Sequence, residues 1–150
     1  MKDWLSITYP TLIQFNSLIS REVITSISCS SCHLLALTNL GSVYSCGKGS
    51  DGQLGINSRE SISSLENISW FLSYHDKPII ISQIAAGGDE SCSHSAAIDE
   101  SGLLYTWGSA LVCGHGVADK RQILCPRRVD SLQVTCFDFR LSFDKDLCNP

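Results

Sequence analysis

The sequence is short of charge. Asp, Glu, Lys and Arg make up 17% of its 150 residues, below the usual quarter. Acids outnumber bases by 15 to 11, and the formal net charge is -4. A nucleic-acid footprint over the whole chain would need a basic excess, so the balance gives that class no support. Two basic spots, Lys120 with Arg121 and Arg127 with Arg128, read as solvated loop. Long apolar runs are also missing. Each is broken by Ser, Asp or Gly, and none reads as a membrane span. Residues 1–20 hold one Lys, an early Asp and a mid-run Pro, which makes a poor signal peptide. The sequon Asn67-Ile68-Ser69 matters only in a secreted chain and is read as chance. The eight cysteines are too sparse for a secreted disulfide scaffold. They read as mostly buried thiols in a reducing compartment, cytoplasmic or nuclear.

What the chain does have is a core's worth of apolar residues, 43%, in a length that suits one domain. It also has an internal repeat. HLLALTNLGSVYSCG, residues 33–47, sets against HSAAIDESGLLYTWG, residues 94–108. His33 matches His94, Ala36 matches Ala97, Gly41 matches Gly102, Tyr44 matches Tyr105 and Gly47 matches Gly108, all at one offset of 61 residues. Upstream, Ile24, Ile27 and Cys29 line up with Ile81, Ile84 and Ala86, and the second copy then carries four extra residues before its histidine. A third start is read at Val129, where Val134-Thr135-Cys136 would match Ile27-Ser28-Cys29. A fixed period of this kind points to a repeat architecture.

Each unit reads as strands. Residues 33, 35 and 37 alternate onto one face, and Tyr44 with Cys46 share another. The polar turns TNLG and DESG end in Gly, which takes positive φ cheaply and closes a hairpin. GKGSDGQLG then packs four glycines into nine residues and reads as a compact loop. It lacks the GK[ST] ending of a phosphate loop. Residues 57–77 are long for a loop and are expected to hold an extra strand or an excursion. Sheets of this length need neighbours to cover them, which points to a propeller.

The fragments ISCS and IAAG, HLLAL and HSAAI, GSVYSCG and GLLYTWG, and GSDGQLG resemble the repeats of the regulator-of-chromosome-condensation family. That resemblance implies an all-β, incomplete β-propeller: about two antiparallel blades and a partial third. The units run over residues 24–57 and 81–118, with a partial unit over 129–150. Departures from the pattern are Ser30 where Gly87 carries the motif glycine, Cys46 where Trp107 carries the tryptophan, and no GQLG in the second copy.

CSSCH, residues 29–33, is the chemical candidate. Cys29, Cys32 and His33 have the spacing of a c-type haem attachment, with His75, His94 or His115 as the sixth ligand. Cys29, Cys32, His33, Cys92 and His94 offer zinc-ligand types, and Cys29 with Cys32 a redox pair. The repeat favours a plainer reading. His33 and His94 are satisfied histidines that bond nearby backbone and fix how a loop meets the sheet. Cys32 alone falls outside the recurring pattern. The acid pairs Asp89-Glu90 and Asp99-Glu100 read as turn residues, and no G-x-S-x-G is present. No catalytic, cofactor-binding or metal-binding residue is assigned. The expected function is a non-enzymatic protein-interaction or scaffold module without cofactor. The partner would be a small GTPase or a ubiquitin-pathway component, with no nucleic acid or membrane. The alternatives are part of a guanine-nucleotide exchange factor, or a truncated fragment without activity of its own.

Overall fold

The structure is a computed structural model that describes residues 21–72, 77–115 and 122–133. Eight strands form two four-stranded antiparallel sheets, each a simple meander. The first holds β1 (Ile24–Cys29), β2 (His33–Thr38), β3 (Val43–Gly47) and β4 (Ile62–Asn67). The second holds β5 (Ile81–Gly87), β6 (His94–Asp99), β7 (Leu103–Ser109) and β8 (Gln122–Gln133). A 3-10 helix, Ser69–Leu72, links them. This is the arrangement of two neighbouring propeller blades.

The two sheets repeat in register. Ala36 faces Tyr44 as Ala97 faces Tyr105, and His33 faces Gly47 as His94 faces Gly108. A bulge interrupts the first strand pair at the same place in both, between Ile24 and Ser26 and between Ile81 and Gln83. The hairpin glycines Gly41 and Gly102 take φ of 75° and 79°, which L side chains adopt only with strain. The fourth strands have no common spelling and lie beyond the unit ends read from the sequence. Residues 129–133, read as the start of a third unit, are the end of β8. Residues 134–150 lie outside the described residues.

Alternation along the strands decides what meets what. Leu35, Leu37 and Val43 of the first sheet pack against Ile81, Ala97, Tyr105 and Trp107 of the second. The 3-10 helix adds Phe71 to this seam, with ring centroids 5.7 Å from Tyr105 and 5.9 Å from Trp107, both edge to face. On the other face of the first sheet, Ala36, Tyr44, Cys46 and Leu65 form a smaller cluster. The second sheet therefore meets the first with its Ala97, Tyr105 and Trp107 face. In the first sheet, Ala36, Tyr44 and Cys46 occupy those same repeat positions.

A carboxylate holds each repeat tyrosine. Tyr105 donates to Asp99 Oδ2 at 3.1 Å, within its own sheet. In the first sheet Thr38 stands at the place of Asp99. Tyr44 donates instead to Glu22 Oε2 at 2.5 Å, and Thr38 Oγ1 donates to Glu22 Oε1 at 3.3 Å. Glu22 lies before the first strand, outside the repeat as spelled.

Candidate functional site

One end of the sheets is built from the loops after β1, β3, β5 and β7. The loop after β3 does most of the joining. Ser45 Oγ donates to the Leu54 carbonyl at 2.7 Å and pins the loop to its own sheet. The loop then reaches across. The Gln53 carbonyl accepts from Trp107 Nε1 at 2.9 Å and from Ser95 Oγ at 2.8 Å. Asp51 Oδ2 accepts from the Ser93 amide at 3.1 Å. Gly55, at φ 71°, leaves room for the indole; a Cβ there would sit 2.7 Å from Trp107 Nε1. GSDGQLG is therefore an inter-sheet clamp. The lysine just before it is engaged as well, since Lys48 Nζ donates to the Glu90 carbonyl at 2.7 Å.

The CSSCH segment divides between two directions. Cys29 pairs with Leu34, and Leu34 with Cys46, so these three share the face turned away from the second sheet. Cys32 turns toward the second sheet, with Sγ 3.0 Å from Ser93 Oγ and 3.8 Å from the Asp89 carbonyl. Two sulfurs divided in this way do not form a chelate or a redox pair. Cys32 is also inside the repeat frame, which corrects the sequence reading. The Lys48 amide donates to the Cys32 carbonyl at 2.9 Å as the Ser109 amide donates to the Ser93 carbonyl at 2.9 Å.

His33 bonds both its own loop and the neighbouring sheet. Ser95 Oγ donates to Gln53, so it accepts from His33 Nε2, at 2.9 Å. Nδ1 then accepts from Ser30 Oγ at 2.6 Å. Burial, with His94 as a second cause, lowers the His33 pKa to about 4, and the ring is neutral. The ring fixes its loop through the Ser30 hydroxyl, not through the nearby backbone that the sequence reading expected. The bond across to Ser95 is additional, and no spacing in the sequence announces it.

The remaining candidates are dispersed. Cys92 Sγ lies 3.5 Å from Ser109 Oγ, and His115 Nε2 lies 2.9 Å from Thr106 Oγ1. His94 is buried, and its pKa is lowered by that burial. Among the described residues no three His, Cys, Asp or Glu side chains converge as metal ligands. Asp99 is buried and caps its hairpin, accepting from the Ser101 amide at 2.8 Å and the Leu103 amide at 2.9 Å. Arg128 pairs with Asp130 at 2.8 Å, and both are exposed. His75, Lys120 and Arg121 lie outside the described residues.

Two features of the loop end remain open to a partner. One is the set of exposed acids on these loops, Glu60, Asp89 and Glu90, with Arg59 exposed next to Glu60. Asp89 is shaped by its loop: Oδ1 accepts from the Ser91 hydroxyl at 2.7 Å and amide at 2.8 Å, and from the Cys92 amide at 3.0 Å. These bonds, the hydroxyl's first, lower its pKa. The other is a cleft of about 400 Å³ beside Cys29, Cys32, Leu34, Cys46, Lys48 and Glu90.

The regulator of chromosome condensation (RCC1) repeat matches residues 24–53 and residues 41–98 in two forms. The ultraviolet-B receptor UVR8 of Arabidopsis thaliana is 36% identical over 108 residues, which cover 72% of this chain and 22% of the receptor. The human E3 ubiquitin-protein ligase HERC2 is 32% identical, over 85% of this chain and 2% of the ligase. The human X-linked retinitis pigmentosa GTPase regulator is 30% identical, over 83% of this chain and 11% of the regulator. Among solved structures, human WBSCR16 aligns with a TM-score of 0.59 and 30% identity, over 71% of this chain and 25% of that one. The chain thus spans a quarter or less of the relatives it matches.

Proposed function

We propose, for a chain that carries regulator of chromosome condensation repeats, a non-catalytic docking role of the guanine-nucleotide-exchange class, with a small GTPase as partner. The observation that carries this is the 30% identity over 83% of the chain to a protein named as a GTPase regulator. The exposed loop acids support it. Glu60, Asp89 and Glu90 are exposed on loops tied down by bonds from backbone amides to the Asp89 and Ser61 side chains, a preformed polar surface. The six described cysteines are free thiols, which agrees with the cytoplasm or nucleus as its place.

The test is release of a fluorescent guanine nucleotide from a panel of small GTPases. The expected result is faster release from one of them, lost in a Glu60→Lys, Glu90→Lys double variant. No binding or release across the panel would overturn the reading. A second reading, a ubiquitin-pathway partner, rests on the 32% identity to a ubiquitin ligase. Capture of a ubiquitin-conjugating enzyme with no GTPase response would favour it. A chain that folds and binds neither is the fragment without independent activity.

A further inference from the structure

The junction between the two sheets has two halves, and each half recurs at an outer end of the pair. The giving half is the loop after the third strand. In the second sheet Thr106 Oγ1 donates to the Cys113 carbonyl at 2.7 Å, as Ser45 does to Leu54. Gly114 takes φ 73° where Gly55 takes 71°. Leu54 and Cys113 are both buried. The second loop is the same device, two residues shorter. Gly55 abuts an indole, whereas a Cβ on Gly114 would meet nothing within 4 Å.

The receiving half is the set of positions that seat the clamp: Ser93, Ser95 and Trp107. Their repeat equivalents in the first sheet are Cys32, Leu34 and Cys46. All three line the cleft, with exposed Cys29 beside them. The cleft is the clamp seat of the first sheet.

The chemistry of the two halves changes together. The internal junction is polar: Asp51 and the Gln53 carbonyl meet an amide, a hydroxyl and an indole N–H. At the outer ends, the loop offers Leu111, 70% exposed, and half-buried Val112, while Ala110 is buried. In place of the Ser95 hydroxyl and the Trp107 indole the seat offers Leu34 and the Cys46 thiol, with Cys29 beside them; Ser30, Ser31, Lys48 and Glu90 also line the cleft, and the Cys32 thiol turns the other way, to Ser93. An apolar loop tip matches the Cys29, Leu34 and Cys46 patch of that cleft.

We propose that the Ala110–Gly114 loop of one copy seats in the Cys29–Leu34–Cys46 cleft of a second copy, head to tail, repeating between chains the junction found within one. Such a contact is heterologous and extends beyond two copies unless its rotation closes a ring.

Sedimentation equilibrium over a dilution series tests this on the full chain. The expected result is reversible self-association. Leu111→Asp spoils only the loop and Cys29→Glu only the seat; both positions are exposed, and circular dichroism checks that each variant folds. Each substitution weakens association at least about tenfold. An equimolar mixture of the two recovers a complex that stops at two chains, because each supplies the half the other has lost. A wild-type chain that stays monomeric, variants that associate as before, or a mixture with no recovery would each overturn the proposal.

Discussion

The indole N–H of Trp107 donates to the backbone carbonyl of Gln53 across the junction of the two sheets, at 2.9 Å. The ring is fully buried, in edge contact with Phe71 and in reach of Gly55. One side chain thus fills the seam, satisfies a loop carbonyl and sets how close that loop comes.

Replacing that residue separates packing from hydrogen bonding. Trp107→Ala should cost about 3–5 kcal/mol, the range for deleting a buried aromatic. Trp107→Phe keeps most of the ring, and Ser95 still serves the Gln53 carbonyl, so the cost should be about 1–2 kcal/mol. Urea titrations followed by circular dichroism measure both. Equal losses would mean that the hydrogen bond, not the packing, holds the seam.

Gly55 and Gly114 share a backbone conformation and differ in surroundings. Gly114→Ala carries only the strain of positive φ, about 1–2 kcal/mol. Gly55→Ala adds a clash with the buried Trp107 indole and should cost at least about 1 kcal/mol more. Parallel denaturation of the two variants decides it, and equal losses would count against the clamp.

His33 makes the junction sensitive to acid. In the unfolded chain its pKa is near 6.5; in the fold burial lowers it to about 4. Between those values the unfolded state binds more protons, so stability falls as pH drops from about 6.5 to about 4. The loss reaches up to roughly 3 kcal/mol. Above that window this group contributes its full stability, and below it no further loss follows. Burial lowers the pKa of His94 too and works in the same direction. Stability measured at a series of pH values should show this slope, and His33→Gln should reduce it. A flat wild-type profile would remove His33 as its source.

The thiols should react in order of exposure and ionisation. Cys29 is exposed and should take up a maleimide first. Cys113 is buried, and burial, with Cys92 as a second cause, pushes its pKa up to about 12. It should label only on unfolding. Mass spectrometry after timed labelling reads the order. Cys32→Ser should change stability by no more than about 0.5 kcal/mol, because Ser93 already fills the equivalent place.

The sequence reveals what the repeat spells alike in both copies. The histidines, the hairpin glycines, the tyrosines and the second and third strands of each sheet fall where their common offset puts them, and the first strands fall four residues short of it, ahead of the insertion. Of the fourth strands, β4 lies within residues 57–77, where an extra strand or an excursion is expected, while β8 does not show, because ISSLEN and QILCPRRVDSLQ share no pattern. The clamp was visible only as a turn-rich loop, since its acceptor is the Gln53 backbone carbonyl and carries no residue signature. The partners of His33 and Cys32 lie about sixty residues away, across a seam that strand alternation orients but does not assign. CSSCH looked like chemistry because Cys29 and Cys32 stand three residues apart in the chain while facing opposite ways in space.

Glu22 sets where the first sheet can be cut. The family match begins at residue 24, and so does the first strand. A chain trimmed to that boundary would keep every strand of the sheet and lose the carboxylate that receives the buried hydroxyls of Tyr44 and Thr38. Taking the acceptor from a buried donor costs about 1–3 kcal/mol. The second sheet, which carries Asp99 within its own strand, would tolerate the corresponding cut. The smallest stable piece of this protein therefore starts ahead of its first recognisable repeat.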